Sequence, residues 1–183
     1  MWYDAFSKKA VSQYSLAYEK ASIIFNIAAT LSGIAAGLDR SDTDGLKRAF
    51  HSLQASAGMF MYINDNFLHA PSPDLSRDVV KVLSNIMLAQ AQECVCQTQI
   101  REGKTGKTVA KLANQASMLF GATLEGINEQ ASQGVFDRVW YSFCQVYLLL
   151  VYPYCSSNKN TSYPLHSIIM PSPTLQQKKS AMQ

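Results

Sequence analysis

Apolar residues recur every three or four positions along most of this chain, the spacing that gathers them on one side of an α-helix. Leu16, Ile23, Ile27, Leu31, Ile34 and Leu38 form the first such series and predict a helix from Tyr14 to about Leu38, with Ala and Ser between them that permit close packing. Asp39-Arg-Ser-Asp-Thr-Asp reads as a polar turn in which Thr43 or Asp44 caps the next helix. That helix, Gly45 to Ala70, places Leu46, Phe50, Leu53, Ala57, Phe60 and Phe67 near one face. It ends at Ala70-Pro-Ser-Pro, because proline disfavours helix at the residue before it. Asp74 or Ser76 starts a third helix that runs to about Glu102, with Leu83, Met87, Ala91 and Val95 on one side. After a break at Gly103 and Gly106 a fourth returns from about Thr108 to Asn128 on Val109, Leu112, Ala116 and Leu119. A fifth, from about Ser132, carries Val135, Phe136, Val139, Trp140 and Phe143.

Long helices, short polar turns and no alternating strand segments predict an all-α fold. Antiparallel neighbours joined in this way form a bundle or a solenoid of helix pairs. No repeat of fixed period is visible, so a plain tetratricopeptide array is not indicated. The two ends depart from the pattern. Trp2, Tyr3 and Phe6 precede any periodic segment and are expected to be exposed, with sequence missing upstream. The segment 146–183 begins uniformly apolar, from Val146 to Val151. From about Tyr152 it turns rich in Ser, Pro and Asn, for which disorder is the expectation.

At 183 residues and 48% hydrophobic content the chain suffices for one folded domain with a core. A net charge of +3 is too small to argue for nucleic acid, and the aromatic and Cys/His patterns of nucleic-acid modules are absent. The N-terminus lacks a basic region followed by an apolar stretch, so it does not read as a signal peptide. The first helix is interrupted by Glu19, Lys20 and Asn26, and the apolar run Val146 to Tyr152 is far shorter than the roughly 20 residues of a membrane span. A soluble cytosolic chain is the expectation, with any membrane role arising through partners.

Candidate chemistry is sparse. Cys94 and Cys96 lie two apart on a helix and face different directions, so they do not share a metal or pair readily; reduced thiols are expected. His51, His69 and His166 have no nucleophile at a recognisable spacing. Glu93, beside Gln90 and Gln92, reads as a solvated or capped carboxylate rather than a catalytic one. Gly103-Lys-Thr-Gly-Lys-Thr resembles a phosphate loop, but Arg101 stands where the Walker pattern needs glycine and no strand precedes it. A basic turn between two helices is expected instead, with no enzyme activity, cofactor or metal. What remains is a surface: the apolar stripes of the third and fourth helices beside Arg101, Lys104, Lys107 and Lys111, offset nearby only by Glu102. Apolar area next to positive charge suits an acidic amphipathic helix.

Four strings sharpen this. Tyr18-Glu-Lys-Ala-Ser-Ile-Ile-Phe-Asn-Ile-Ala-Ala, Gln54-Ala-Ser-Ala-Gly-Met-Phe, Leu88-Ala-Gln-Ala-Gln-Glu and Ala110-Lys-Leu-Ala-Asn-Gln-Ala closely resemble the BRO-one domain, the boomerang-shaped helical domain shared by Alix and the fungal vacuolar-sorting Bro proteins. Trp2-Tyr-Asp-Ala-Phe and Tyr62-Ile-Asn-Asp-Asn-Phe-Leu-His-Ala-Pro-Ser look most like the fungal members. The resemblance covers about residues 2–145 and makes 1–145 a partial BRO-one domain, its middle portion, followed by a divergent tail, 146–183. It implies an elongated, tetratricopeptide-related solenoid with a small N-terminal sheet. It also implies a non-enzymatic scaffold of the ESCRT pathway, recruited from the cytoplasm to endosomes. Such a scaffold binds the C-terminal amphipathic helix of an ESCRT-III subunit during sorting into multivesicular endosomes and transport to the vacuole. In register, the apolar contact positions of Alix fall on Val95, Thr108 and Leu112, of which Leu112 keeps its character; Val95 replaces an aromatic and Thr108 an isoleucine. The alternative is a truncated gene product without a stable fold or activity of its own.

Overall fold

The computed structural model describes residues 1–67, 72–130 and 134–155, the side chains of 152–155 excepted. Five α-helices lie among the described residues: α1 Leu16–Gly37, α2 Thr43–Asn66, α3 Arg77–Arg101, α4 Gly106–Glu129 and α5 Arg138–Cys155. Each packs chiefly on its neighbours in sequence, α1 on α2, α2 on α3, α3 on α4 and α4 on α5. The fold is all-α and solenoid-like: consecutive antiparallel helices bury a continuous core between them.

The boundaries follow local chemistry. Asp42, rather than Thr43 or Asp44, caps α2: its Oδ2 accepts from the Gly45 amide at 3.1 Å. Gly45 itself is needed there, because a Cβ would clash with the carbonyl oxygen of Asp39. Ser76 caps α3, accepting from Val79 N, while Asp74 belongs to a 3-10 turn, Pro73–Leu75. The second helix stops at Asn66, before the proline expected to end it; residues 68–71, with His69, lie outside the described residues. α5 starts at Arg138, with Asp137 Oδ1 accepting from the amides of Val139 and Trp140; Ser132 is outside the described residues. The helix passes through Gln145 without a break, and Tyr147 and Val151 turn inward. Disorder was expected from about Tyr152, but α5 continues to Cys155; residues 156–183, with His166, lie outside the described residues.

Expectations about burial on α1, on α5 and at the N-terminus are corrected. The stripe read from α1 is the wrong one. Ile23, Ile27 and Ile34 are 46%, 43% and 48% exposed, and Leu16 more so, while Tyr18, Ala21, Ser22, Phe25, Ala28, Ala29, Ser32 and Ala35 face the core. Small residues let α1 approach α2 closely enough for Ser56 Oγ to donate to the Ala28 carbonyl at 2.8 Å and for Phe25 to meet Phe60 edge-on. Val139, expected on the inner face of α5, is likewise exposed. By length and composition α1 does reach the range of a membrane-crossing helix, contrary to the sequence reading, but here one of its faces is packed in the protein core.

The third correction concerns the N-terminus. Trp2–Tyr3 (β1) and Ala10–Val11 (β2) pair antiparallel, the strand element missing from the helical pattern. Trp2 is buried and its Nε1 donates to Glu19 at 2.5 Å; Phe6 stacks edge-on against Phe136 and Trp140. Aspartates fix this hairpin to the 3-10 turn: Ala5 N donates to Asp74 Oδ2 at 2.8 Å, and Asp74 N to Asp4 Oδ2 at 3.1 Å. Burial pushes the Asp4 carboxyl up, yet hydrogen bonds from Ser7, Asp74 and Phe6 outweigh it and hold the group below the usual carboxylate range. The aromatics find partners on α1 and α5, elements distant in sequence, which is why their own neighbourhood could not show them.

Candidate partner-binding face

The face singled out in the sequence is the antiparallel pair α3–α4. Its turn explains the glycine-lysine-threonine run. Gly103 adopts φ +67°, its amide donates to the Ile100 carbonyl, and the Lys104 amide donates to the Gln99 carbonyl. This double bond pattern around a left-handed glycine satisfies the last carbonyls of α3 and reverses the chain. Thr105 follows as N-cap of α4. A turn between two helices, with no strand before it, leaves the phosphate-loop reading without its structural context.

Close contact holds the pair. A Cβ on Gly126 would lie 2.6 Å from Val82 Cγ2, so α4 crosses α3 at a distance only glycine allows. Nearer the turn, Gln92 Nε2 donates to the Leu112 carbonyl at 3.3 Å. Leu112 and Val95 are both half-buried. Leu112 lies on a small apolar cluster of Cys96, Ala113, Ala116 and Val151, apart from the main core. Thr108 is exposed, with its Oγ1 3.1 Å from that of Thr105. Lys104, Lys107 and Lys111 are exposed as well, Lys104 facing Glu102 at 3.7 Å.

Arg101 is different. Its guanidinium donates to the backbone carbonyls of Arg40 and, at 3.4 Å, Asp42, tying the end of α3 to the α1–α2 turn. Of the four cations read as one cluster, Arg101 is engaged by backbone carbonyls, Lys104 faces Glu102, and Lys107 and Lys111 stand exposed. Sequence reasoning also passed over Gln92, Arg40 and Val151. Gln92 precedes Val95 by one helical turn, a signal that could have been used. Val151 lies far along the chain, in the segment assigned to the divergent tail, and nothing in the sequence links it to Leu112.

Behind this face Glu93 is buried, not solvated. Its Oε2 lies 3.4 Å from Arg40 Nη1, and its Oε1 accepts from Gln97 Nε2 at 2.6 Å. Burial raises its carboxyl to about 7 against the opposing pull of Arg40 and Gln97. Burial likewise pushes the Cys94 and Cys144 thiols up to about 12, which makes them inert packing groups rather than nucleophiles. Cys94 belongs to the main core and Cys96 to the small cluster, on different sides of α3.

The sequence family of the BRO1-like domain matches residues 1–151. The vacuolar protein-sorting protein bro1 of Aspergillus fumigatus is 60% identical over 139 residues, which is 76% of this chain and 14% of that protein. BRO1 of Gibberella zeae is 54% identical over 145 residues, covering 79% of this chain and 15% of that protein. The chain thus spans a small part of the length of the curated relatives it matches. Among solved structures, the ALIX BRO1 CHMP4C complex superposes with a TM-score of 0.79 at 32% identity, over 84% of this chain and 45% of that one. A Bro1 domain described for endosomal targeting gives 0.69 at 25% identity, over 82% and 42%. With the family model matching residues 1–151 and relatives more than half identical over most of the chain, the chain belongs to the BRO1-like domain family.

Proposed function

We propose that this chain is a non-enzymatic adaptor module of endosomal and vacuolar protein sorting, and that its α3–α4 face takes the acidic amphipathic C-terminal helix of an ESCRT-III subunit. The observation that carries this reading is the joining of half-buried Val95 and Leu112 with exposed Lys104, Lys107 and Lys111 on one helix pair. An apolar stripe on the incoming helix would cover Leu112, and its acidic side would meet the lysines. The naming of CHMP4C in the ALIX BRO1 complex supports a partner of this class. With Val95 and Thr108 smaller than the residues of the Alix register, the seat is shallow. Each large side chain forgone lowers the apolar contribution by about 1–3 kcal/mol.

The lysines act more on the rate of encounter than on affinity. Recruitment to endosomes would then follow from the partner, itself held at the membrane. The core running from Trp2 through Phe60 and Phe120 to Tyr147 favours this over a chain unable to fold alone, and predicts a cooperative thermal transition. Binding of an acidic ESCRT-III helix peptide to the wild type and to Leu112→Asp tests the site. A weakening of tenfold or more, about 1.4 kcal/mol, is expected; equal affinities would sink it.

A further inference from the structure

The turn that joins α3 to α4 carries an exposed hydroxyl that makes no capping bond to the helix it precedes. Thr105 is exposed, on extended backbone at φ −59° and ψ 145°, and it is the N-cap residue of a 24-residue helix. An N-cap threonine ordinarily accepts from an amide of the first turn. Thr105 makes no such bond; its Oγ1 lies 3.1 Å from the hydroxyl of Thr108, three residues on. Lys104 precedes it and Lys107 follows two residues later, both exposed.

We propose that Thr105 is a phosphoacceptor for a protein kinase that selects basic flanks, and that its phosphate switches off docking on the α3–α4 face. The switch rests on the reading of that face given above. An exposed hydroxyl with Lys104 immediately before it and Lys107 two residues after it presents a basic charge pattern, and kinases choose substrates partly by charge pattern. In the transfer, Thr105 Oγ1 bonds to the γ-phosphorus of ATP and the bond from that phosphorus to the β–γ bridging oxygen breaks. The hydroxyl proton passes to the kinase's catalytic aspartate, and ADP leaves.

The charge arithmetic gives the consequence. Arg101, Lys104, Lys107 and Lys111 against Glu102 leave three positive charges at this end of the pair. A phosphate brings about −1.5 to −2 at neutral pH, enough to offset half or more of that charge. It would also sit beside Thr108, one of the three proposed contact positions, where it obstructs the incoming helix. The lysines themselves would hold it through charge-assisted hydrogen bonds.

The whole chain is incubated with a basic-directed kinase and ATP, and the modified residue is mapped by mass spectrometry in wild type, Thr105→Ala and Thr108→Ala. Association of the acidic ESCRT-III helix peptide is then followed at low salt. Phosphate is expected on wild type and Thr108→Ala but not on Thr105→Ala, and association with the phosphorylated wild type should slow at least about tenfold. Circular dichroism before and after treatment should be unchanged, which separates the switch from unfolding. Failure to modify Thr105, or modification that leaves association unchanged, overturns the proposal. Absence of binding by the untreated chain would overturn the docking reading, and the switch with it, whatever the phosphate map shows.

Discussion

Arg40 and Glu93 meet at 3.4 Å with side chains only 7% and 3% exposed, an ion pair almost wholly withdrawn from water. It joins the α1–α2 turn to the middle of α3, while Arg101 clasps the carbonyl of the same Arg40. Removing one member of such a pair leaves the other charge buried and uncompensated, at a cost of about 3–5 kcal/mol. Glu93 can escape by taking a proton; Arg40 cannot.

This sets a pH dependence. The folded carboxyl is raised to about 7 from an ordinary 4.5, so between those values the folded chain holds more protons than the unfolded one. Stability contributed by this group is therefore full below about pH 4.5 and is lost as pH rises through 7, at roughly 1 kcal/mol per unit. Urea midpoints across pH 4.5–8 should show that decline, and Glu93→Gln should flatten it. Arg40→Ala should cost little near pH 5 and several kcal/mol at pH 8; equal losses at both would contradict the assignment.

Gly126 tests the α3–α4 spacing. Alanine normally favours a helix over glycine by about 1 kcal/mol. Here its Cβ meets Val82 Cγ2 at 2.6 Å, so Gly126→Ala should destabilise, by about 1–3 kcal/mol. Adding Val82→Ala should recover part of that loss relative to Val82→Ala alone. A thermal midpoint for Gly126→Ala at or above wild type would show that the helices have room to part.

Trp2 is expected to be integral to the fold. Its burial and its bond to Glu19 predict that Trp2→Ala costs about 3–5 kcal/mol in urea unfolding. Trp2→Phe, which keeps a ring and forgoes the hydrogen bond, should cost less. An unchanged midpoint in Trp2→Ala would mean that the hairpin does not stabilise the helices.

The division between free and engaged cations predicts two kinds of mutant. Lys107→Glu combined with Lys111→Glu should slow association of an acidic helix at low salt by about tenfold and flatten its salt dependence. Arg101→Met should lower stability, since its donors serve carbonyls of the α1–α2 turn, and leave the salt dependence nearly unchanged. A loss of salt dependence in Arg101→Met matching that of the lysine pair would place Arg101 back among the steering charges.

Periodicity alone determined the helices. Five amphipathic series, polar turns and a glycine break locate α1 to α5 to within a few residues at most ends, because the 3.6-residue spacing is a local property of the chain. Four strings of residues also sufficed to identify the family. Tertiary structure decided which face each helix buries. α1 carries two candidate stripes, and close approach to α2 selects the one made of alanine, serine and phenylalanine, leaving the isoleucines outside. It also decided what only distant neighbours supply: Trp2 against Glu19, Phe6 against Phe136, Arg40 beside Glu93 and Val151 beneath Leu112. On the α3–α4 face, the lysines were legible as charge in the sequence. That Arg101 is not one of them became visible only once the α1–α2 turn lay against the end of α3, since its acceptors sit some sixty residues upstream, at Arg40 and Asp42.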